Sequence, residues 1–226
     1  MSIDRLQIQR IVSRPLQENT YVARFSDRTD CVVFDPGLEP QLILDFLQQQ
    51  NLSVAMILNT HGHGDHIGGN AALKAAFPQA PIVIGELDAP MLIDASLNMS
   101  GMAGFRITSP PADQTVRDGD VVEAAGFRLD VRHIPGHSPG HVVYVLLESA
   151  PAIVFGGDVL FAGSIGRTDL PRGSFESLSR GIRDKLFSLP SDTIVLPGHG
   201  QETTIDFEKR TNPFVGDTGS HPPAAL

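Results

Sequence analysis

The sequence predicts an α/β fold in which two β-sheets pack face to face with helices on the outside. Two observations carry this prediction. Short apolar runs of strand length are followed by amphipathic stretches of helix period, and this order occurs in each half of the chain. No linker-like shift in composition and no internal repeat separates the halves. Residues 1–226 are therefore expected to form one domain, ending in a short Gly, Ser and Pro-bearing tail from about 215 to 226 that is expected to be mobile.

The elements follow in order. Residues 6–12, 20–25 and 31–34 carry alternating or continuous apolar residues and read as strands, the third closed by the turn Asp35-Pro36-Gly37. Leu42, Ile43, Phe46 and Leu47 then share one helix face, with Pro40 near the start. Residues 54–58 form a short apolar strand, the alanine-rich stretch 70–77 a helix stopped by Pro78, and 81–85 another strand. The methionine-bearing stretch 86–102 reads as helix plus loop, its methionines as core filling. In the second half, strands are expected at 127–134, 142–147, 153–155 and 193–196, with a turn at Asp118-Gly119-Asp120. Between them, residues 175–189 place Leu178, Ile182, Leu186 and Phe187 on one helix face, ending at Pro190.

Composition excludes several function classes. Hydrophobic residues make up 41% and charged residues 19%, an ordinary globular balance. With 17 basic against 26 acidic residues the net charge is −9, which argues against a nucleic-acid partner held through its phosphates. The opening MSIDRLQIQR lacks the apolar core of a secretory signal, and no apolar run reaches membrane-spanning length, so a soluble cytoplasmic protein with no membrane partner is expected. The single Cys31 excludes an intramolecular disulfide and, in the run Cys31-Val32-Val33-Phe34, reads as a buried inert thiol. The sequence carries no signature of oligomeric state.

The chemistry is concentrated in histidine. Six of the eight histidines stand in three glycine-bearing segments: THGHGDH with His61, His63, Asp65 and His66; PGHSPGH with His137 and His141; and PGHG with His199. A GGD segment between the last two adds Asp158. Each segment follows an expected strand, where glycine lets the backbone turn sharply and aim short polar side chains at a common point. A His-x-His pair on extended backbone projects both rings to one side, and Asp65 and His66 then follow the turn toward a second centre. Neutral imidazole and carboxylate ligands suit zinc, iron or manganese better than calcium. His133 lies on the strand itself and is expected to pack or hydrogen-bond, and His221 is expected to be an exposed bystander. Asp35, at a strand end, either orients a ligand or caps a turn, and His141 is expected to support the site from behind.

In this order THGHGDHIGG, PGHSPGH, GGD and PGHG resemble the metallo-β-lactamase superfamily over roughly residues 8 to 205. The resemblance implies an αββα sandwich of two mixed sheets, with the metal site at one edge. It implies two divalent metal ions, zinc first and iron or manganese as alternatives. His61, His63 and His137 would hold one ion, Asp65, His66 and His199 the other, and Asp158 would bridge them. The zinc β-lactamases place a cysteine where this chain has Asp158, which disfavours antibiotic hydrolysis.

Within the superfamily, FAGSIGRTDLPRGSFESL and PGHGQETTIDFEKRTNPF look most like the short glyoxalase II-like hydrolases. That similarity implies cleavage of a small-molecule thioester, S-lactoylglutathione first, by a metal-bridging hydroxide, with Asp65 and Asp158 in catalytic positions. The separate C-terminal glutathione-binding domain of the longer enzymes is absent, since only a short helix candidate and tail follow His199. Where those enzymes offer a lysine and a tyrosine to glutathione, this chain has Arg167 and Asp169, with Arg172 nearby. Arg167 could pair with a substrate carboxylate or form a structural salt bridge. A related alternative is a mononuclear iron persulfide dioxygenase using His61, His137 and Asp158. A further alternative is a non-catalytic metal-binding or sensor domain.

Overall fold

The structure is a computed structural model and describes residues 5–102, 104 and 106–217. Strands β1 (Leu6–Ser13), β2 (Glu18–Phe25) and β3 (Asp30–Phe34) form an antiparallel meander. Strands β4 (Ser53–Leu58), β5 (Ile82–Gly85) and β6 (Gln114–Val116) then add in chain order, parallel to β3. Parallel neighbours need crossovers. Helix α1 (Pro40–Gln49) supplies the first, and the single turn α2 (Gly64–Ile67) with α3 (Asn70–Ala76) the second. A 3₁₀ segment, Glu86–Ile93, follows β5.

The second sheet is built from β7 (Val121–Ala124), β8 (Phe127–His133), β9 (Val142–Leu146) and β10 (Ile153–Gly157), all antiparallel neighbours. After a small hairpin of β11 (Leu160–Phe161) and β12 (Ser164–Ile165), helix α4 (Phe175–Gly181) crosses to β13 (Ile194–Pro197), which pairs parallel with β10. The short β14 (Thr203–Thr204) and helix α5 (Ile205–Thr211) complete the described chain.

Period-two alternation divides each central strand between two apolar layers. In β2 and β3, Tyr21, Ala23, Val32 and Phe34 face the second sheet, while Val22, Cys31 and Val33 pack under Ile43, Leu47 and Leu73 of the outer helices. In the second sheet Tyr144 and Phe155 face inward, while Val143, Val145 and Val154 meet Leu178, Ile182 and Leu186. Strands buried on both faces read as continuous apolar runs, which is why 31–34 and 153–155 stand out in the sequence. The two sheets are joined by Phe34, stacked on Phe155 with centroids 3.6 Å apart and edge-on to Tyr144 at 5.9 Å. Cys31 lies fully within the outer layer, and burial pushes its thiol up to about 12, so it is inert as expected.

Three differences from the sequence reading have local causes. The stretch 175–189 is not one regular helix: α4 passes at Gly181 into a π-turn, Ile182–Leu186, with Phe187 N–H reaching back to Ile182 O at 2.9 Å. A Cβ on Gly181 would lie 2.6 Å from Ile134 Cγ2, so this helix sits closer to the sheet than a side chain allows. Strands β6, β7, β11, β12 and β14 were not anticipated, because two to four residues are too few to show a period. Near the C-terminus, Val215 is buried in the layer under α4, so close packing reaches past residue 214. The rest of the expected mobile tail from 218, with His221, lies outside the described residues.

Helix α5 is tied to the β11–β12 hairpin. The buried Glu208 carboxylate accepts the Gly163 N–H at 3.1 Å from each oxygen and the Thr203 hydroxyl at 2.6 Å. Asn212 Nδ2 donates to the Ser164 carbonyl at 3.0 Å. Among the described residues no helix is long and apolar enough to cross a membrane.

Truncating the inter-sheet contact at Phe34→Ala is expected to lower unfolding free energy by about 3–5 kcal/mol in urea denaturation. A loss below about 1 kcal/mol would mean that the sheets are held together elsewhere.

Candidate metal centre

All the histidine-bearing loops leave the same edge of the sandwich. β4 ends at Leu58 and runs through Asn59 and Thr60 into His61. His63 keeps extended backbone (φ −67°, ψ 149°) and starts α2, so His61 and His63 point together, while Asp65 and His66 turn away on the helix. The parallel strands β10 and β13 end side by side and deliver Asp158 and His199. The loop between β8 and β9 delivers His137 and His141. Two glycines are set by space: a Cβ on Gly157 (φ +48°) would lie 2.2 Å from Thr60 Oγ1, and one on Gly198 would lie 2.3 Å from Asp158 Oδ1.

These residues form two triads. One ligand atom each from His61, His63 and His137 lie within 4.8 Å of one another, and so do those of Asp65, His66 and His199. Asp158 lies between them. Its Oδ1 is 3.5 Å from His66 Nε2, and its Oδ2 is 3.4 Å from His137 Nε2 and 3.6 Å from His199 Nε2. Across the first triad His63 Nδ1 faces His137 Nε2 at 2.9 Å, and across the second His66 Nε2 faces His199 Nε2 at 3.3 Å.

Hydrogen bonds on the outer side of the rings set their tautomers. His66 Nδ1–H donates to Asp35 Oδ2 at 3.1 Å, His137 Nδ1–H to the Arg167 carbonyl at 2.9 Å, and His199 Nδ1–H to the Leu16 carbonyl at 3.1 Å. The Thr60 hydroxyl gives its one proton to Asp35 Oδ2 at 2.7 Å, so it accepts from His61 Nδ1–H at 3.1 Å. Each of these four rings therefore turns its Nε2 inward. Asp35, His61 and His66 also cluster within 4.8 Å. Asp35, however, already accepts the Thr60 N–H at 2.7 Å together with those two side-chain donors. It holds the His66 ring directly and the His61 ring through Thr60. It does so from a left-handed backbone (φ +46°), which aspartate tolerates.

The donor set fits divalent cations. His61 Nε2 and Asp158 Oδ1 are buried and have no hydrogen-bond partner within the protein, an arrangement that a cation would satisfy. Burial, reinforced by neighbouring imidazoles, holds His61 and His63 well below the ordinary histidine value, so these rings are neutral and ready to coordinate. The second triad has the opposite field. Burial opposes a charge on His66, yet Asp158, Asp65 and Asp35 together hold its pKa well above the usual imidazole value. Burial would likewise raise Asp65, but His66 and His199 keep it far below the carboxylate range. The potential there favours positive charge. His141, neutral through burial, accepts the Asp158 N–H on Nε2 at 3.0 Å and stacks on His61 with centroids 4.7 Å apart. His133 hydrogen-bonds the Pro139 carbonyl at 2.9 Å, away from the centre.

The centre opens into a cleft of about 670 Å³, whose walls include Leu16, Leu38, Met102, Ile107, Phe161 and Leu170. Arg167 also lines it, with its guanidinium bound bidentately by Asp169 at 2.8 Å on each side. Asp169 and Arg172 are exposed and lie outside the cleft lining. Three supporting residues escape a reading of motifs. Thr60 is one. Asp88 is another, buried at 0% exposure, accepting from Gly62 N–H at 3.1 Å, Ser138 Oγ–H at 2.6 Å and Gly140 N–H at 2.6 Å. The third is Glu18, buried at 0% exposure at the start of β2, where it bridges to His199. An acid set between Leu87 and the apolar APMLI is the one signal that marks Asp88 in the sequence.

An αββα sandwich whose strand ends carry two His/Asp triads and a shared aspartate defines a metallo-hydrolase class. The family model of the metallo-beta-lactamase superfamily matches residues 13–199, and the chain belongs to that superfamily. It is 40% identical over 202 residues to the probable metallo-hydrolase YqgX of Bacillus subtilis, covering 89% of this chain and 93% of the relative. It is 36% identical over 197 residues to the hydroxyacylglutathione hydrolase GloC of Haemophilus influenzae, covering 84% and 90%. Among solved structures it is similar to the B3 metallo-beta-lactamase BLEG-1, with TM-score 0.89, 39% identity and coverage of 94% of this chain and 100% of that one. TTHA1623 in a di-iron-bound form matches with TM-score 0.79, 38% identity and coverage of 91% and 98%. ETHE1 from Myxococcus xanthus matches with TM-score 0.76, 28% identity and coverage of 92% and 84%.

Glu18 generates a pH prediction. Burial, with Asp35 and Asp65 adding to it, raises its folded pKa well above 4.5, so the fold holds the neutral acid while the unfolded chain ionises above 4.5. The stabilisation is complete below the unfolded value and is lost as pH rises toward the folded one. In metal-free protein, Glu18→Gln is expected to gain stability over wild type progressively from about pH 5 to about pH 8. A constant difference across that range, read by denaturant melts, would refute the neutral assignment.

Proposed function

We propose that this chain is a dinuclear metal-dependent thioester hydrolase of the glyoxalase II type, with S-lactoylglutathione as the first substrate to test. The observation that carries the reading is the position of Asp158, whose two oxygens face the two triads. The similarity to a hydroxyacylglutathione hydrolase over 84% of the chain supports the substrate class. Two divalent cations, one on His61, His63 and His137 and one on Asp65, His66 and His199, with Asp158 shared, would supply hydroxide at neutral pH and a Lewis acid for the acyl carbonyl. Zinc suits these ligands, as do iron and manganese.

The protein's own groups account for the rest. Asp35, Thr60 and the Arg167 and Leu16 carbonyls hold the rings in register, so little reorganisation is needed when charge develops at the carbonyl. The apolar cleft walls exclude water around the thioester. A departing thiolate, with a pKa of about 8.5 for a simple cysteine thiol, needs no general acid, and among the described residues the cleft lining holds no carboxyl or imidazole beyond the proposed ligands. Arg167 is the one cation lining the cleft among the described residues, and a substrate carboxylate would take the place of Asp169 on its bidentate edge.

The similarity to ETHE1 supports a second reading, a mononuclear iron persulfide dioxygenase on His61, His137 and Asp158. The complete second triad favours hydrolysis. The test is to count metal ions per chain and to assay S-lactoylglutathione hydrolysis beside oxygen uptake with glutathione persulfide. Two ions and thioester turnover are expected, whereas one iron with persulfide-dependent oxygen uptake overturns the proposal. The similarity to BLEG-1 adds a β-lactam to the same panel, and β-lactam turnover exceeding that of the thioester would do so as well. Asp158→Ala is expected to lose metal and to cut turnover by roughly 100-fold or more. Retained turnover with full metal content would contradict a shared role for Asp158.

A further inference from the structure

The 3₁₀ segment Glu86–Ile93 contributes nothing to the ligand set, yet it is wedged between the two loops that carry the first triad. A Cβ on Gly62 would lie 2.5 Å from Met91 Cβ, and one on Gly140 would lie 2.3 Å from Asp88 N. Between these contacts stands Asp88, fully buried, whose two oxygens receive three donors. Gly62 separates His61 from His63. Ser138 follows His137, and Gly140 closes the same loop. The donors thus come from both of the chain segments whose imidazoles must meet, and from no other. The second triad is held independently: His66 on Asp35, His199 on the Leu16 carbonyl, and the His199 loop on Asn19, whose N–H donates to Gly198 O at 2.7 Å.

We propose that Asp88 is a positioning residue that clamps the His61–His63 loop to the His137 loop and so sets the affinity of the first cation site alone. The inference rests on the two-cation reading of the centre and adds to it a division of labour. Asp35 backs a ring of each triad, His66 directly and His61 through Thr60, whereas Asp88 serves the first triad alone. The carboxylate is required because all three partners donate. Asparagine has the same shape, but its amide must confront either the Gly140 N–H or the Gly62 N–H, and only the Ser138 hydroxyl can turn round to accept. In either orientation one of the two loops loses its backbone hydrogen bond.

The experiment uses full-length protein loaded with zinc(II) and dialysed against graded chelator, with bound zinc counted per chain and melting temperature followed in parallel. In Asp88→Asn one of the two zinc ions is expected to leave at roughly tenfold or more lower chelator strength, the range for loss of a group that orients ligands, while the other is unmoved. The ion lost should be the one that His63→Ala removes and not the one that His199→Ala removes. In the cobalt(II)-substituted protein, the absorption of one site should diminish and that of the other persist. Ser138→Ala removes one of the three hydrogen bonds and should weaken the same ion by a smaller factor, which keeps the test decisive if Asp88→Asn does not fold. Equal weakening of both ions, weakening of the other ion, or unchanged release overturns the proposal. Wild-type protein that retains fewer than two zinc ions sinks the two-cation reading itself, a result distinct from any of these.

Discussion

The Asp35 carboxylate stands behind the centre with the Thr60 N–H, the Thr60 hydroxyl and the His66 ring nitrogen all donating to it. Two consequences spread from this one group. Because the hydroxyl proton is committed to Asp35, the His61 ring must carry its own proton on the outer nitrogen, and its inner nitrogen is left as a lone pair. Because the same oxygen also takes the His66 Nδ1 proton, that ring turns its Nε2 toward Asp65 and Asp158. One carboxylate thereby fixes a tautomer on each side of the centre. The carbonyls of Arg167 and Leu16 do the same for His137 and His199. Inward lone pairs without protons are costly to bury unless a cation collects them.

This arrangement is possible only because of how the sheets are made. Parallel β3 and β4 end together, so Asp35 and Thr60 emerge as neighbours. Parallel β10 and β13 end together as well, so Asp158 and His199 emerge opposite them. The Phe34–Phe155 stack lies beneath this edge and sets the spacing of the two sheets. The geometry of the centre and core packing are therefore linked through the ends of four short strands. Each strand is buried on both faces and has little freedom to slide.

Much of this is legible in the sequence. The double-faced burial of β3 and β10 makes them continuous apolar runs, and Gly-bearing loops after them mark where backbone must turn. The ligands are visible because His, Asp and Gly are chemically distinctive at short spacing. What supports them is less visible. A backbone carbonyl such as that of Arg167 or Leu16 has no residue signature, so the partners of His137 and His199 could not be named. Asp35 was left between two roles because a carboxylate at a strand end looks the same whether it caps a turn or orients a ring. The hairpin at 160–165 and the strand at 203–204 escaped because two residues carry no period. The break at Gly181 escaped because its cause is Ile134, far away in the chain.

The link between α5 and the β11–β12 hairpin gives the end of the chain a part in the cleft. Phe161, Ser164 and Ile165 line the cleft, and the loop that spaces them is held by Glu208 and Asn212 from the last helix. The hairpin is therefore a cantilever anchored at residues some forty-five positions downstream, as the Gly163–Glu208 separation records. Strain applied to helix α5 would be transmitted to one wall of the cleft and, because Asp158 precedes the hairpin and the Arg167 carbonyl follows it, on toward the centre itself. The last described helix thus reaches both the shape of the cleft and the setting of His137.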